Sequence, residues 1–109
     1  MTKPRKIKIL GSGPTGSILA LALSKSNYDI DLIDQSSALE LISKQRTYAL
    51  THSTRKFLTK IGIWNYILVN AIPFTNLSVE DRATNQEINF SINDLVREDR
   101  ISGHIGWTI

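Results

Sequence analysis

Residues 7–34 read IKILGSGPTGSILALALSKSNYDIDLID, and this stretch decides the fold. An apolar run ends in the glycine-rich turn GSGPTG at positions 11–16, and a helical segment of small and apolar residues follows. A second apolar run then stops at Asp34. A strand, a glycine-rich turn, a helix and a second strand in this order are typical of the βαβ unit that binds the ADP half of a dinucleotide.

The glycines of this turn each have a distinct physical task. Gly11 permits the tight turn off the strand, and Gly13 lets the backbone approach a pyrophosphate closely. Gly16 lets the helix and the strand pack without an intervening side chain. Pro14 stands at the predicted helix start, where its missing N–H costs nothing. The first helical turn then directs unpaired N–H groups and the positive end of its dipole towards the phosphates.

Asp34 follows the second strand, close to the spacing of about 20 residues that the fingerprint expects. Its carboxylate is suited to accept hydrogen bonds from an adenosine ribose. The same negative charge would repel a 2′-phosphate, so NADP is not expected at this site. On these residues alone, both NAD and FAD remain open.

The composition describes one small globular domain without special features. The chain has 109 residues, of which 41% are hydrophobic and 21% charged, and its net charge is +3. Part of that charge lies in an N-terminal cluster, Lys3, Arg5, Lys6 and Lys8, which we interpret as a solvated leader; contact with anionic lipid or phosphate is the alternative. No aromatic residue lies within this cluster, so no nucleic acid partner is expected.

Residue types also exclude several chemistries. The chain has no cysteine, which removes disulfides and thiolate catalysis and fits a reducing, cytoplasmic location. Its two histidines, His52 and His104, are far apart, so no metal site is predicted. We see no apolar leader of the signal-peptide type and no apolar stretch long enough to span a bilayer.

The remainder of the chain predicts a helical excursion and then an antiparallel hairpin. The predicted elements are a short extended segment at 46–50, a helix from Thr54 that stops at Gly62, a short helix at 63–69, hairpin strands at 77–82 and 87–92, a charged loop at 94–102 and a strand at 104–109. Phe57 and Trp64 are predicted core residues. His52 is expected at the surface or beside a helix cap, and Glu98, Asp99 and Arg100 in a solvated loop.

Several segments together resemble a known family. They are GSGPTG at 11–16, RTYALT at 46–51, FL at 57–58 with IGIW at 61–64, AIPF at 71–74, and IGWTI at 105–109. In this order and spacing they resemble the flavoprotein aromatic-ring hydroxylases, which are FAD-dependent monooxygenases, and in particular the ubiquinone-biosynthesis hydroxylases. The family usually has Glu where this chain has Asp34.

The resemblance implies FAD as the cofactor. It places the turn residues at the FAD pyrophosphate: Gly11, Gly13, Pro14, Thr15 and Gly16. It places Asp34 at the adenosine ribose and Arg46 near the pyrophosphate and the ribityl chain, a role that suits a planar guanidinium with several donors. It names no catalytic residue within this chain.

The resemblance covers about the first quarter of such an enzyme. It implies an α/β fold, with residues 1–109 as a single incomplete FAD-binding domain of partial Rossmann-like type and the N-terminal fragment of a longer fold. We expect it to be inactive alone, with a second polypeptide supplying the rest and the full-length enzyme peripheral to the inner membrane. The alternatives are a non-catalytic nucleotide-binding or interaction module and a fragment of an NAD-linked dehydrogenase.

Overall fold

The computed structural model describes residues 3–109, which form two compact units divided after Arg46. Unit 1 ends at Arg46, and unit 2 is Thr47–Ile109. Both units mix helices with strands, so the chain is of mixed α/β class, as predicted. No helix among the described residues combines the length and the apolar character that crossing a membrane requires.

Unit 1 is built from two strands and two helices. They are β1 (Arg5–Leu10), α1 (Pro14–Leu23), β2 (Tyr28–Ile33) and α2 (Ala38–Ser43). The strands pair in parallel, with Ile7 opposite Ile30 and Ile9 opposite Leu32. Because parallel neighbours need a crossover connection, α1 lies between them in the chain. The predicted strand–helix–strand order is therefore confirmed.

The sheet of unit 1 is only partly covered. Ile9 is buried, whereas Leu10 is 81% exposed and Leu32 and Ile33 are each more than 40% exposed. A two-stranded sheet with one crossover helix has few neighbours against which to bury its apolar side chains. Unit 1 thus presents apolar strand residues to its surroundings.

Unit 2 contains a three-stranded antiparallel sheet, a hairpin and short helices. Its elements are β3 (Ala49–Thr51), α3 (His52–Lys60), α4 (Trp64–Leu68), β4 (Ile72–Phe74), β5 (Leu77–Asp81), β6 (Gln86–Phe90), a 3₁₀ helix (Ile92–Asp94), α5 (Arg97–Arg100) and β7 (Gly106–Thr108). The strand β7 lies between β3 and β4 and is antiparallel to both. The predicted hairpin is confirmed as β5 and β6, with Leu77 opposite Phe90.

The core of unit 2 gathers around two tryptophans. Trp64 and Trp107 are buried and meet edge to face, with ring centroids 4.9 Å apart. Leu58 of α3 is 1% exposed, while its neighbour Phe57 is 46% exposed. Successive helical residues differ in direction by about 100°, so only one of this pair faces the core. Trp64 is a core residue as predicted, and the prediction for Phe57 was wrong.

Two predicted segments differ from the structure. The helix predicted from Thr54 begins at His52, because the Thr51 hydroxyl caps it by accepting the Thr54 N–H at 3.2 Å. The predicted loop at 94–102 contains helical turns, because a capping box joins Ser91 and Asp94 ahead of α5. Within the extended segment predicted at 46–50, strand structure is confined to its end, in β3.

Candidate cofactor-binding site

The glycine turn of unit 1 joins β1 to α1 in a shape that two of its glycines make possible. Gly11 has φ +102°, a left-handed conformation that favours glycine, and its N–H donates to the Ile33 carbonyl at 2.7 Å. A Cβ on Gly16 would lie 1.9 Å from the Gly11 oxygen. Any side chain at position 16 would therefore separate the helix from the turn, as the sequence predicts.

Gly13 faces open space where α1 begins. It is the N-cap residue of the helix and has extended backbone angles, and a Cβ built on it meets no heavy atom within 4 Å. No side chain caps this helix, and the Thr15 and Gly16 N–H groups are among those that have no partner within a helix. Unpaired donors beside an open backbone fit a pyrophosphate, both sterically and electrostatically.

Asp34 lies at the carboxyl end of β2, beside this turn. Its Oδ2 accepts the Ser12 N–H and its Oδ1 accepts the Ser36 N–H, each at 2.8 Å. The Ser12 N–H, followed by the Ser36 N–H, lowers the pKa of the Asp34 carboxyl below its usual value near 3.8. The side chain is therefore ionised near neutral pH.

These hydrogen bonds give Asp34 a structural role that the sequence did not reveal. From the end of β2, its carboxylate holds the backbone of the glycine turn in place. Each ionised oxygen has a second lone pair, so a ribose hydroxyl can still donate to it. Ribose binding by Asp34 stays a prediction.

The other predicted site residues also belong to unit 1. Pro14 occupies the first turn of α1, and Thr15 follows it there; both are exposed. Arg46 is an exposed residue in a segment without regular structure, at the end of unit 1. Its role beside a cofactor stays a prediction.

Unit 2 contains a buried polar network that the sequence did not reveal. His52 directly follows the N-cap residue Thr51, so its predicted place beside a helix cap is confirmed, but it is 4% exposed and the surface alternative was wrong. Its Nε2 lies 2.8 Å from the His104 carbonyl oxygen. Asp99, predicted in a solvated loop, is largely buried, and its Oδ1 lies 3.0 Å from Lys56 Nζ and 3.9 Å from His52 Nδ1. The network links α3 to α5 and to His104, which precedes β7.

Three neighbouring side chains have the residue types of a nucleophilic triad: Ser102, His52 and Asp99. Their hydrogen atoms, however, are not placed as a triad requires. Ser102 Oγ is 3.3 Å from His52 Nε2. A carbonyl only accepts hydrogen bonds, so the nitrogen facing the His104 carbonyl carries a proton and is not available as a base for Ser102. The Ser102 hydroxyl itself donates to the Asp99 carbonyl at 2.8 Å. We therefore interpret this network as structural.

A cavity of about 450 Å³ in unit 2 has a largely apolar wall. Residues of β3, β4 and the hairpin line it together with the residue that precedes β7, among them Leu50, Phe74, Leu77, Phe90 and Ile105. Its lining contains none of the predicted cofactor-binding residues, so it is a feature distinct from the glycine turn.

Comparison with known proteins gives three curated relatives, although no family model matches the chain. The mitochondrial ubiquinone biosynthesis monooxygenase COQ6 of Schizosaccharomyces pombe is 33% identical over an alignment of 94 residues, and the match covers 76% of this chain and 20% of the relative. The ubiquinone hydroxylase UbiM of Neisseria meningitidis is 30% identical, over 77% of this chain and 19% of the relative. The kynurenine 3-monooxygenase of Anopheles gambiae is 29% identical, over 72% of this chain and 17% of the relative.

The chain thus spans about a fifth of the length of the curated relatives it matches. All three relatives are named as monooxygenases or hydroxylases, two with ubiquinone in the name and one with kynurenine. The shared property is therefore the broader class rather than one substrate. Together, the three comparisons show that this chain is similar to a short part of several monooxygenases and hydroxylases.

Proposed function

We propose that unit 1 binds the ADP half of FAD, and that the chain is the FAD-binding N-terminal portion of an FAD-dependent aromatic-ring monooxygenase. In this proposal the βαβ unit is part of a Rossmann-like domain. The diphosphate lies against the glycine turn and the ribose lies at Asp34.

The observation that carries the proposal is the position of Gly13. Its missing side chain leaves open space at the start of α1, where the Thr15 and Gly16 N–H groups have no partner within the helix. The turn therefore supplies donors and clearance at one place. The carboxylate of Asp34 lies on the other side of Ser12, at the distance of one hydrogen bond.

The residues of this chain would bind and orient the cofactor. FAD, when bound, supplies the redox chemistry that activates dioxygen for ring hydroxylation. The glycine turn holds the diphosphate, Asp34 accepts from the ribose, and Arg46 neutralises phosphate charge. No described residue is assigned a catalytic role in the proposal.

The ubiquinone branch is the more specific form of the proposal. Two of the three relatives carry ubiquinone in their names, and both match more than three quarters of this chain. The whole enzyme would then act on a ring precursor of a quinone and associate peripherally with a membrane. The described segment would be inactive by itself.

We also propose that a second polypeptide completes the sheet of unit 1. The exposed apolar residues of β1 and β2 support this, since Leu10, Leu32 and Ile33 would be covered by further strands. Co-expression with the product of the adjacent reading frame tests it. If the two chains purify together and the complex has yellow flavin absorbance, the proposal is supported. If this chain purifies alone and is colourless, the proposal is contradicted.

The test of the cofactor site is calorimetric titration of the chain with ADP. Gly13→Val should abolish binding, because the valine side chain would fill the space against the turn. The backbone at position 13 is extended, so valine fits there without strain. Ser24→Val is the matched control: it introduces the same side chain at the far end of α1, away from the turn, and should bind ADP as the parent does. Parent chain that does not bind ADP, or Gly13→Val that binds it with parental affinity, would overturn the assignment.

A further inference from the structure

The backbone of Ser12 is held on both sides by side chains. Its N–H donates to Asp34 Oδ2 at 2.8 Å. Its carbonyl accepts the hydroxyl of Ser17, one turn into α1, at 2.9 Å. Ser17 is half-buried and is not one of the predicted cofactor-binding residues. The middle of the glycine turn is therefore fixed in orientation, and Ser17 is one of the two side chains that fix it.

The bond to the Ser12 carbonyl determines where the next N–H points. The Ser12 carbonyl and the Gly13 N–H belong to one planar peptide, and the described residues contain no cis peptide bond. In a trans peptide these two groups point in opposite directions. Because the carbonyl points to Ser17, the Gly13 N–H points away from Ser17. Gly13 itself is exposed.

That N–H has particular importance in this turn. The next residue, Pro14, has no N–H, so the turn has one donor fewer than a turn with another residue there. A ligand diphosphate would depend correspondingly more on the donor of Gly13. We infer that Ser17 is a positioning residue, whose hydroxyl orients the Ser12–Gly13 peptide so that the Gly13 N–H faces the diphosphate. This inference rests on the proposed function.

The test compares Ser17→Ala with Ser24→Ala in titrations with ADP and with adenosine. Ser24 is the matched control, because its hydroxyl also donates to a carbonyl, that of Leu21 at 2.7 Å, at the far end of α1. Ser17→Ala should bind ADP about five-fold more weakly, as expected for loss of one oriented hydrogen bond. Adenosine, which has no diphosphate, should bind both variants like the parent. Ser17→Thr keeps the hydroxyl and should restore ADP binding.

A second measurement reads the peptide orientation without any ligand. The amide NMR signals of Ser12 and Gly13 should shift in Ser17→Ala and stay in place in Ser24→Ala. If the parent binds ADP, and Ser17→Ala binds it equally well with unchanged Gly13 signals, the positioning role is wrong and the proposed function stands. If the parent binds no ADP, the proposed function fails, and the diphosphate role of Ser17 fails with it.

Discussion

The two units differ in how far apart along the chain their important polar contacts lie. In unit 1 these contacts all lie within residues 7–34, since Ser17 and Asp34 both bond to the backbone of Ser12 in the glycine turn. In unit 2, His52 bonds to the carbonyl of His104, which is 52 positions away. A site built from neighbouring backbone groups leaves a readable pattern, whereas one built from distant side chains does not.

The difference also concerns what the residues are for. In unit 1, Gly13 leaves open space, and the Thr15 and Gly16 N–H groups have no partner within the helix. In unit 2 the polar residues bond to one another and close the structure around Trp107, which His52 and His104 both contact edge-on. Unit 1 therefore has the accessible backbone donors that the proposed cofactor site requires, whereas the polar groups of unit 2 hold its own elements together.

The largest expected effect is that of Gly16→Ala on unit 1. The new Cβ would lie 1.9 Å from the Gly11 oxygen and 3.0 Å from the Gly11 carbonyl carbon, and neither backbone atom can rotate away. We expect a loss of about 3 kcal/mol or more in the free energy of unfolding. Amide NMR signals of β1, α1 and β2 should lose their dispersion.

The comparison of units supplies the controls for this variant. Both tryptophans belong to unit 2, so tryptophan fluorescence reports its unfolding separately. Gly13→Ala places a methyl in open space and should change the stability of unit 1 by less than about 0.5 kcal/mol. Equal stability of the two alanine variants would contradict the close packing of α1 on the turn.

A smaller effect is expected in unit 2 from Leu58→Ala, with Phe57→Ala as its partner. Leu58 is 1% exposed, and its truncation should lower the free energy of unfolding by about 2 kcal/mol, since a cavity remains. Phe57 is 46% exposed and should cost about 1 kcal/mol or less. Urea unfolding followed by tryptophan fluorescence measures both. A larger cost for Phe57 would mean that α3 presents its other side to the core.

These residues show which parts of the fold were predictable. The strand–turn–helix–strand of unit 1 and the β5–β6 hairpin follow from local rules, namely alternation, glycine conformation and helix-start chemistry. The rotation of α3 does not, because Phe57 and Leu58 are equally apolar and only the tertiary structure decides which of them is buried. The segment predicted as a charged loop contains α5, and its Asp99 pairs with Lys56 of α3, a tertiary contact that the local sequence does not show.

The candidate site was predictable to a similar degree. The roles of Gly11 and Gly16 follow from the motif because they concern the backbone alone. The hydrogen bond from the Ser17 hydroxyl to the Ser12 carbonyl was not predictable. Serine is common in the first turns of helices, and only the geometry of the turn shows which carbonyl it bonds. His52 was missed because its burial depends on a carbonyl supplied near the other end of the chain.

A pH effect of modest size should distinguish the units further. Burial, followed by the nearby His52, lowers the pKa of His104 below its usual value of 6.5. The unfolded chain then binds the proton more readily, so unit 2 should lose stability as the pH falls below about 6.5. The urea midpoint from tryptophan fluorescence measures this. His104→Gln should flatten the decline, and a parent midpoint that stays constant from about pH 7 to about pH 5 would contradict it.

The smallest effect is expected from Asp34 in unit 1, because its carboxylate is exposed. The two N–H bonds lower the pKa of Asp34 in the folded state below its usual value of 3.8. Their stabilising contribution is therefore complete above about pH 3.8 and is lost as the pH falls through the folded-state pKa. The Ser12 and Ser36 amide signals should therefore stay constant down to about pH 4 and move only below it, while unit 2 has already responded. Asp34→Asn, which cannot ionise, should remove this movement. If the Ser12 signals titrate together with His104, a group other than Asp34 bonds to the Ser12 N–H, and the carboxylate at the end of β2 does not hold the turn.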